Sequence, residues 1–199
     1  MRFVPALLLC TAALAGCSLA PTVPPRAVYD LGPAPTIATA TTPGAVAWRI
    51  ADVTAPPWLD GDGIAYRLAF QQAQRQEHYR DSVWAAPPAA LLTQRLHETV
   101  ATAAACPEVS ANATRPVTLL TVNLDQFEQL FSSPSGSQAV LRVHATLWPA
   151  GALGATQQQL WRLERPTTPD AAGAARGLAQ AVDDWLPQLA AWLVSNCPK

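Results

Sequence analysis

Thr168–Leu193, TPDAAGAARGLAQAVDDWLPQLAAWL, is the stretch on which the fold turns. Ala171, Ala175, Leu178, Val182, Trp185, Leu189 and Leu193 recur at three- and four-residue intervals, which places them on one stripe of a helix. Thr168 is positioned to cap its start, and Pro169 and Asp170 suit a first turn. Pro187 removes one backbone donor and should kink the helix. So continuous an apolar stripe needs a surface to pack on.

The preceding residues supply that surface. Val117–Phe131, Ala139–Trp148 and Gln157–Arg165 read as three strands, joined by the Ser132–Ser137 segment and by a turn around Gly151 and Gly154. Neighbouring strands with short connections form an antiparallel meander. Upstream, Pro87-Pro88 opens a second helix. There Leu92, Leu96, Val100 and Ala104 recur every fourth residue, with Leu91 and Ala103 beside them, before a stop near Cys106-Pro107. Four shorter strands come earlier: Val28–Leu31, Val46–Val53, Ile64–Phe70 and Glu77–Val83, with a Pro- and Gly-rich loop at Ala55–Gly63. The order of strands, helix, three strands, helix predicts an α+β fold. It is a two-layer sandwich, a mainly antiparallel sheet with two helices packed on one face.

The amino terminus reads differently. Arg2 precedes an apolar run from Phe3 to Ala15, too short to span a bilayer permanently, and Leu14-Ala15-Gly16-Cys17 follows the pattern of a bacterial lipobox. Cleavage then falls between Gly16 and Cys17, and Cys17 carries acyl chains on its sulfur and its new amine. One chain holds a protein to a membrane only marginally, whereas three hold it stably. Ser18, where Asp would favour retention at the inner membrane, directs the protein to the periplasmic face of the outer membrane. The chain therefore divides into a signal peptide at 1–16, a lipidated Pro-rich tether at 17–27 and a single domain at 28–199. The tether, with Pro21, Pro24 and Pro25, is an extended spacer.

Composition excludes several functions. Lys, Arg, Asp and Glu make up 14% of the chain and the formal net charge is -1, so there is no electrostatic footprint for nucleic acid. His78, His97 and His144 stand apart from any Gly-x-Ser-x-Gly elbow, and no His-x-x-x-His or Cys-x-x-Cys spacing occurs. Asp60-Gly61-Asp62-Gly63 lacks the further oxygen ligands of a calcium loop and reads as a turn. Asn112-Ala113-Thr114 is a chance match to a glycosylation pattern. No catalytic residue, metal ligand or cofactor is assigned.

Two features stay open on the residues alone. Cys106 and Cys197 both follow predicted helices in an oxidising compartment. They form either a disulfide, which would stabilise by roughly 4 to 5 kcal/mol through the long loop it closes, or two buried thiols. Among seven tryptophans, Trp48, Trp148, Trp161 and Trp185 lie in predicted strands or helices. Trp58, after Pro56-Pro57, is either an interface anchor or core, and Trp192 leans to core.

Several segments, in order and spacing, resemble the ABC-type transport auxiliary lipoproteins, a family that includes the outer-membrane lipoprotein of the paraquat-inducible system. They are Tyr29-Asp30-Leu31, Trp48-Arg49-Ile50-Ala51-Asp52-Val53, Pro57-Trp58-Leu59-Asp60-Gly61, Ile64-Ala65-Tyr66-Arg67 and the Tyr79–Pro88 run through Trp84. Val83 and Pro87-Pro88 depart from the polar residue and the Pro-Leu that family members often carry there, so no role is carried over for that position. The resemblance implies a non-enzymatic docking component, at the outer membrane, of an ABC-type lipid transport system. Its partner would be a mammalian-cell-entry (MCE) domain protein, and a homo-oligomeric ring one form of the docking end. By position, Pro57, Trp58, Leu59, Asp60, Tyr79 and Trp84 are the expected partner contacts. The alternatives are a periplasmic binder of lipid or another small molecule and, further off, a cell-wall-binding lipoprotein or a periplasmic enzyme.

Overall fold

The structure, a computed structural model, describes residues 25–35, 48–103, 117–149 and 155–196. The signal peptide, Gly16 and Cys17 of the lipobox, most of the tether, Cys106 and Cys197 lie outside these residues. Seven strands form one open sheet: β1 (Ala27–Tyr29), β2 (Trp48–Ile50), β3 (Gly63–Leu68), β4 (Glu77–Trp84), β5 (Thr118–Phe131), β6 (Ser137–Trp148) and β7 (Gln157–Thr167). The helices are the short α1 (Ala69–Gln72), α2 (Pro88–Ala103) and α3 (Ala171–Ser195). The class is α+β, as the element order predicts. None of the described helices is long and apolar enough to cross a membrane.

The sheet runs β1-β4-β3-β5-β6-β7, with β2 also paired to β5. The meander β5-β6-β7 is antiparallel throughout and supplies the two longest ladders. The joins upstream of it are mixed. β1 pairs with β4, β2 with the first residues of β5, and β3 with its last residues, all in parallel. Side chains alternate across a strand in the same way whichever direction its neighbour runs, so alternation alone does not distinguish these pairings. The expected strand to Phe70 ends at Leu68, and Phe70 belongs to α1 instead.

Alternation along β5 divides the sheet into two faces. Leu120, Val122 and Leu124 are buried and join one apolar cluster with Leu92 and Leu96 of α2 and with the stripe of α3. The register to β6 shifts between Leu124 and Gln126, a bulge that keeps Phe127 on the same buried side. From β6, Leu141, Val143, Ala145 and Leu147 meet the same cluster. The two helices thus cover one face, and no described element covers the other.

The α3 stripe is wider than the sequence pattern suggests, because Ala174, Ala181 and Leu186 are buried as well. Small residues let this helix approach closely. A Cβ built at Gly177 would stand 2.4 Å from Thr167 Cγ2 and 2.9 Å from Ala139 Cβ. Asp170, not Thr168, caps the helix, its carboxylate accepting from Gly173 N at 2.6 Å. That bond holds the Asp170 carboxyl below the usual range. Thr168 is engaged elsewhere, its carbonyl accepting from Gln129 Nε2 at 2.8 Å. α3 continues through Pro187, whose ring is exposed.

The amino-terminal segment is fastened to this core. Leu31 is buried, and Gly32 takes a positive φ of 68° that a side chain would disfavour. Arg95 of α2, itself buried, donates to the carbonyls of Leu31 and Gly32, both at 2.6 Å. Its other terminal nitrogen lies 3.4 Å from Asp183 of α3, so one guanidinium joins three segments.

Candidate functional site

The open face is polar, and the Ala55–Gly63 loop stands at its margin. Pro56 and Pro57 restrict the backbone there, and a single turn of 3-10 helix at Pro57–Leu59 closes with Leu59 N donating to Pro56 O at 2.8 Å. Leu59 is 3% exposed and anchors the turn in the core. The same turn drives its neighbour outward: Trp58 is 62% exposed. An aromatic side chain held outside on a proline-stiffened, apolar-anchored turn loses little freedom when something binds it. Pro57 and Asp60 are exposed beside it.

Trp58 stands where two open depressions meet, of about 340 and 380 Å³, which share Trp58, Asp125 and Arg142. The bulge in β5 explains the position of Asp125. It leaves Asp125 unpaired between Leu124 and Gln126, so two successive side chains serve the open face. Asp125 Oδ2 lies 3.0 Å from His144 Nδ1 and 3.6 Å from Arg142 Nε. Thr54 Oγ1 donates to Asn123 Oδ1 at the edge of the same hollow.

Beneath the first depression is a charge pair. Glu128 is 1% exposed and accepts from Arg67 Nε at 3.0 Å and Nη2 at 3.1 Å, while Gln126 Nε2 donates to the same carboxylate at 2.7 Å. A buried carboxylate satisfied in this bidentate way is fixed in place. Farther along the face, Arg162 pairs with Glu164 at 2.7 Å and donates to Gln126 Oε1 at 3.1 Å. Trp148 and Leu160 are exposed on this face as well.

The expected contact residues divide. Pro57, Trp58 and Asp60 are at the surface, while Leu59 is the buried foot of their turn. Trp84 is 1% exposed, its ring 5.4 Å from that of Phe127 under the helices, so it presents nothing to a partner. Tyr79 is half-buried and its hydroxyl donates to Gln129 Oε1 at 2.6 Å. Burial, with the Asp170 charge behind it, pushes its phenol up to about 12. Tyr79 thus belongs to the packing beneath α3, and of the expected contacts Pro57, Trp58 and Asp60 are the exposed ones. Asp125 and Arg142 do not stand out in the sequence, and His144 does so only as a histidine without a catalytic setting. The signal for Arg142 and His144 is the alternation of β6, where they interleave with the buried Leu141, Val143 and Ala145.

Among the described residues no group of three or more His, Cys, Asp or Glu side chains could hold a metal ion. Among the described residues the face offers hydrogen-bonding groups beside the exposed ring of Trp58 on its proline-stiffened turn.

The family model described as "ABC-type transport auxiliary lipoprotein component" matches residues 29–190. Among solved structures, protein XCC0632 from Xanthomonas campestris is similar at 20% identity and a TM-score of 0.64, covering 84% of this chain and 95% of that one. An uncharacterised protein is similar at 16% identity and a TM-score of 0.65, covering 85% and 99%. At such identities these likenesses concern the fold. A search of curated proteins finds no match.

Proposed function

The chain belongs to the ABC-type transport auxiliary lipoprotein component family, and on that premise we propose that it is a lipid-anchored docking component of an MCE-type lipid transport system, without catalysis of its own. Members of this family are transport auxiliaries and not enzymes. The observation that carries the proposal is the family match, which runs from the start of the sheet into the last helix. In this reading Cys17 bears the acyl chains, and Ser18 sends the protein to the periplasmic face of the outer membrane. An MCE-domain protein reaching across the periplasm meets it at Pro57, Trp58 and Asp60. Several copies would present that turn together as a ring. Cys106 and Cys197 would be joined as a disulfide suited to the compartment.

Trp58 supports the choice of surface, since exposed aromatic side chains on rigid backbone are frequent energetic centres of interfaces. The test is photocrosslinking in cells, with the reactive side chain at position 58 or 60, followed by mass spectrometry. The expected product is an MCE-domain protein. Recovery of nothing but further copies of the chain would remove the docking role. Replacing Cys17 by Ala should release the protein from membranes, and an unchanged membrane fraction would remove the anchor.

A further inference from the structure

We infer that the hollow around Trp58 is a saccharide-binding site that takes a neutral chain of β-linked pyranose units. The inference goes beyond the docking role and does not depend on it.

Three observations carry it. The first is the aromatic platform. Trp58 lies between two hollows of about 340 and 380 Å³ on a turn that cannot easily move, so one sugar ring could lie on the indole while its neighbours occupy either side. The apolar face of a pyranose, made of axial C–H groups, suits an aromatic surface, and both hollows fall in the range of about 300–1,000 Å³ usual for small ligands.

The second observation is the set of polar groups. Asp125, Arg142, His144, Asn123 and Gln126 bear planar side chains that present donors and acceptors, and each is held: Asp125 by Arg142 and His144, Asn123 by Thr54, and Gln126 by Arg162 and Glu128. Vicinal hydroxyls, each both donor and acceptor, pair with such groups and lose little in ordering them.

The third is the charge balance. Arg67 and Arg142 are matched across the strands by Glu128 and Asp125, and Arg162 along its own strand by Glu164. A phosphate or a strongly acidic peptide would have to displace a carboxylate partner already in place. A neutral polyhydroxylated chain meets no such opposition.

Two sources share this chemistry in the periplasm, the amino-sugar strands of the cell wall and unsubstituted glucans. The experiment uses the full mature lipoprotein in detergent micelles, with chitotetraose and cellotetraose as probes and saturation-transfer NMR and calorimetry as readouts. Saturable binding of at least one probe is expected, weakened on the order of tenfold or more by Trp58→Ala and by Arg142→Ala, and retained within about threefold by Trp58→Tyr. Preference for chitotetraose assigns the cell-wall strand, and preference for cellotetraose the glucan. Trp148→Ala, exposed on the same face but outside both hollows, should leave binding unchanged. Absence of saturable binding by the folded protein, or binding that Trp58→Ala and Arg142→Ala both leave intact, overturns the site. Since no transport partner is present in this assay, its failure is distinct from a failure of docking.

Discussion

The two faces of the one sheet are made by the same strands and obey opposite rules. On β6, Leu141, Val143, Ala145 and Leu147 point to the helices, and Arg142, His144 and Trp148 point away. The covered side is close-packed to the point that a single extra methyl at Gly177 has nowhere to go. The open side tolerates hollows, a bulge and a tryptophan in water. Close packing is concentrated on the side the helices cover, and exposed hydrogen-bonding groups on the other.

Substitutions can break that contrast or sharpen it. The largest effect is expected at Trp185, fully buried in α3 with its ring 6.2 Å from that of Trp161. Trp185→Ala should cost about 3–5 kcal/mol in urea unfolding. A loss under about 1 kcal/mol would mean that α3 is not the foundation of the core. Gly177→Ala comes next. Helix propensity alone would make it stabilising by about 1 kcal/mol, yet the contacts with Thr167 and Ala139 should turn it into a loss of about 1–3 kcal/mol. A stabilised variant would show that the helix can lift off the sheet at no cost.

Tyr79 tests the covered side by pH. Its phenol titrates higher in the folded protein than in the unfolded chain, chiefly through burial. The folded state therefore holds its proton longer. The resulting contribution to stability is complete below the ordinary value of 10.0 and is lost as pH rises toward about 12. In Tyr79→Phe the alkaline fall of the unfolding midpoint across that window should be shallower than in the parent. An identical fall would place Tyr79 in water.

The smallest stability effect is expected at Trp58. Trp58→Ala should move the unfolding free energy by no more than about 0.5 kcal/mol while abolishing crosslinks to the transport partner. A large destabilisation would merge the two faces into one structural unit.

Much of the covered face could be read from the sequence, because it is periodic. The α3 stripe and the three strands of the meander announce themselves through spacings that only one geometry satisfies, and these elements appear where expected. β1 and β2 are three residues each, too short for a pattern to fix their partners. Thr168 and Asp170 are both good capping residues; the Asp170 carboxylate takes the Gly173 donor, while the Thr168 hydroxyl accepts from Arg176 Nη2. Trp84 is an expected contact only by its position in the Tyr79–Trp84 segment, and the strand turns it under the helices onto Phe127. The open face was the harder part to read. Its key carboxylate stands in a bulge, and one extra residue in a strand leaves no composition signal beyond the apolar spacing stretching from two to three between Leu124 and Phe127.

The guanidinium of Arg95 bears on how the domain hangs. Were lipid attached at Cys17 as proposed, any drag on the protein would come in through residues 25–32, at the outer edge of the sheet. There the ladder of β1 to β4, the buried Leu31 and the grip of Arg95 on the Leu31 and Gly32 carbonyls spread the load at once over a strand and, through Asp183, both long helices. The arrangement works as a strain relief does on a cable. Tension would be taken up at the rim of the molecule, with β4 and β3 between it and the β5 residues beside Trp58.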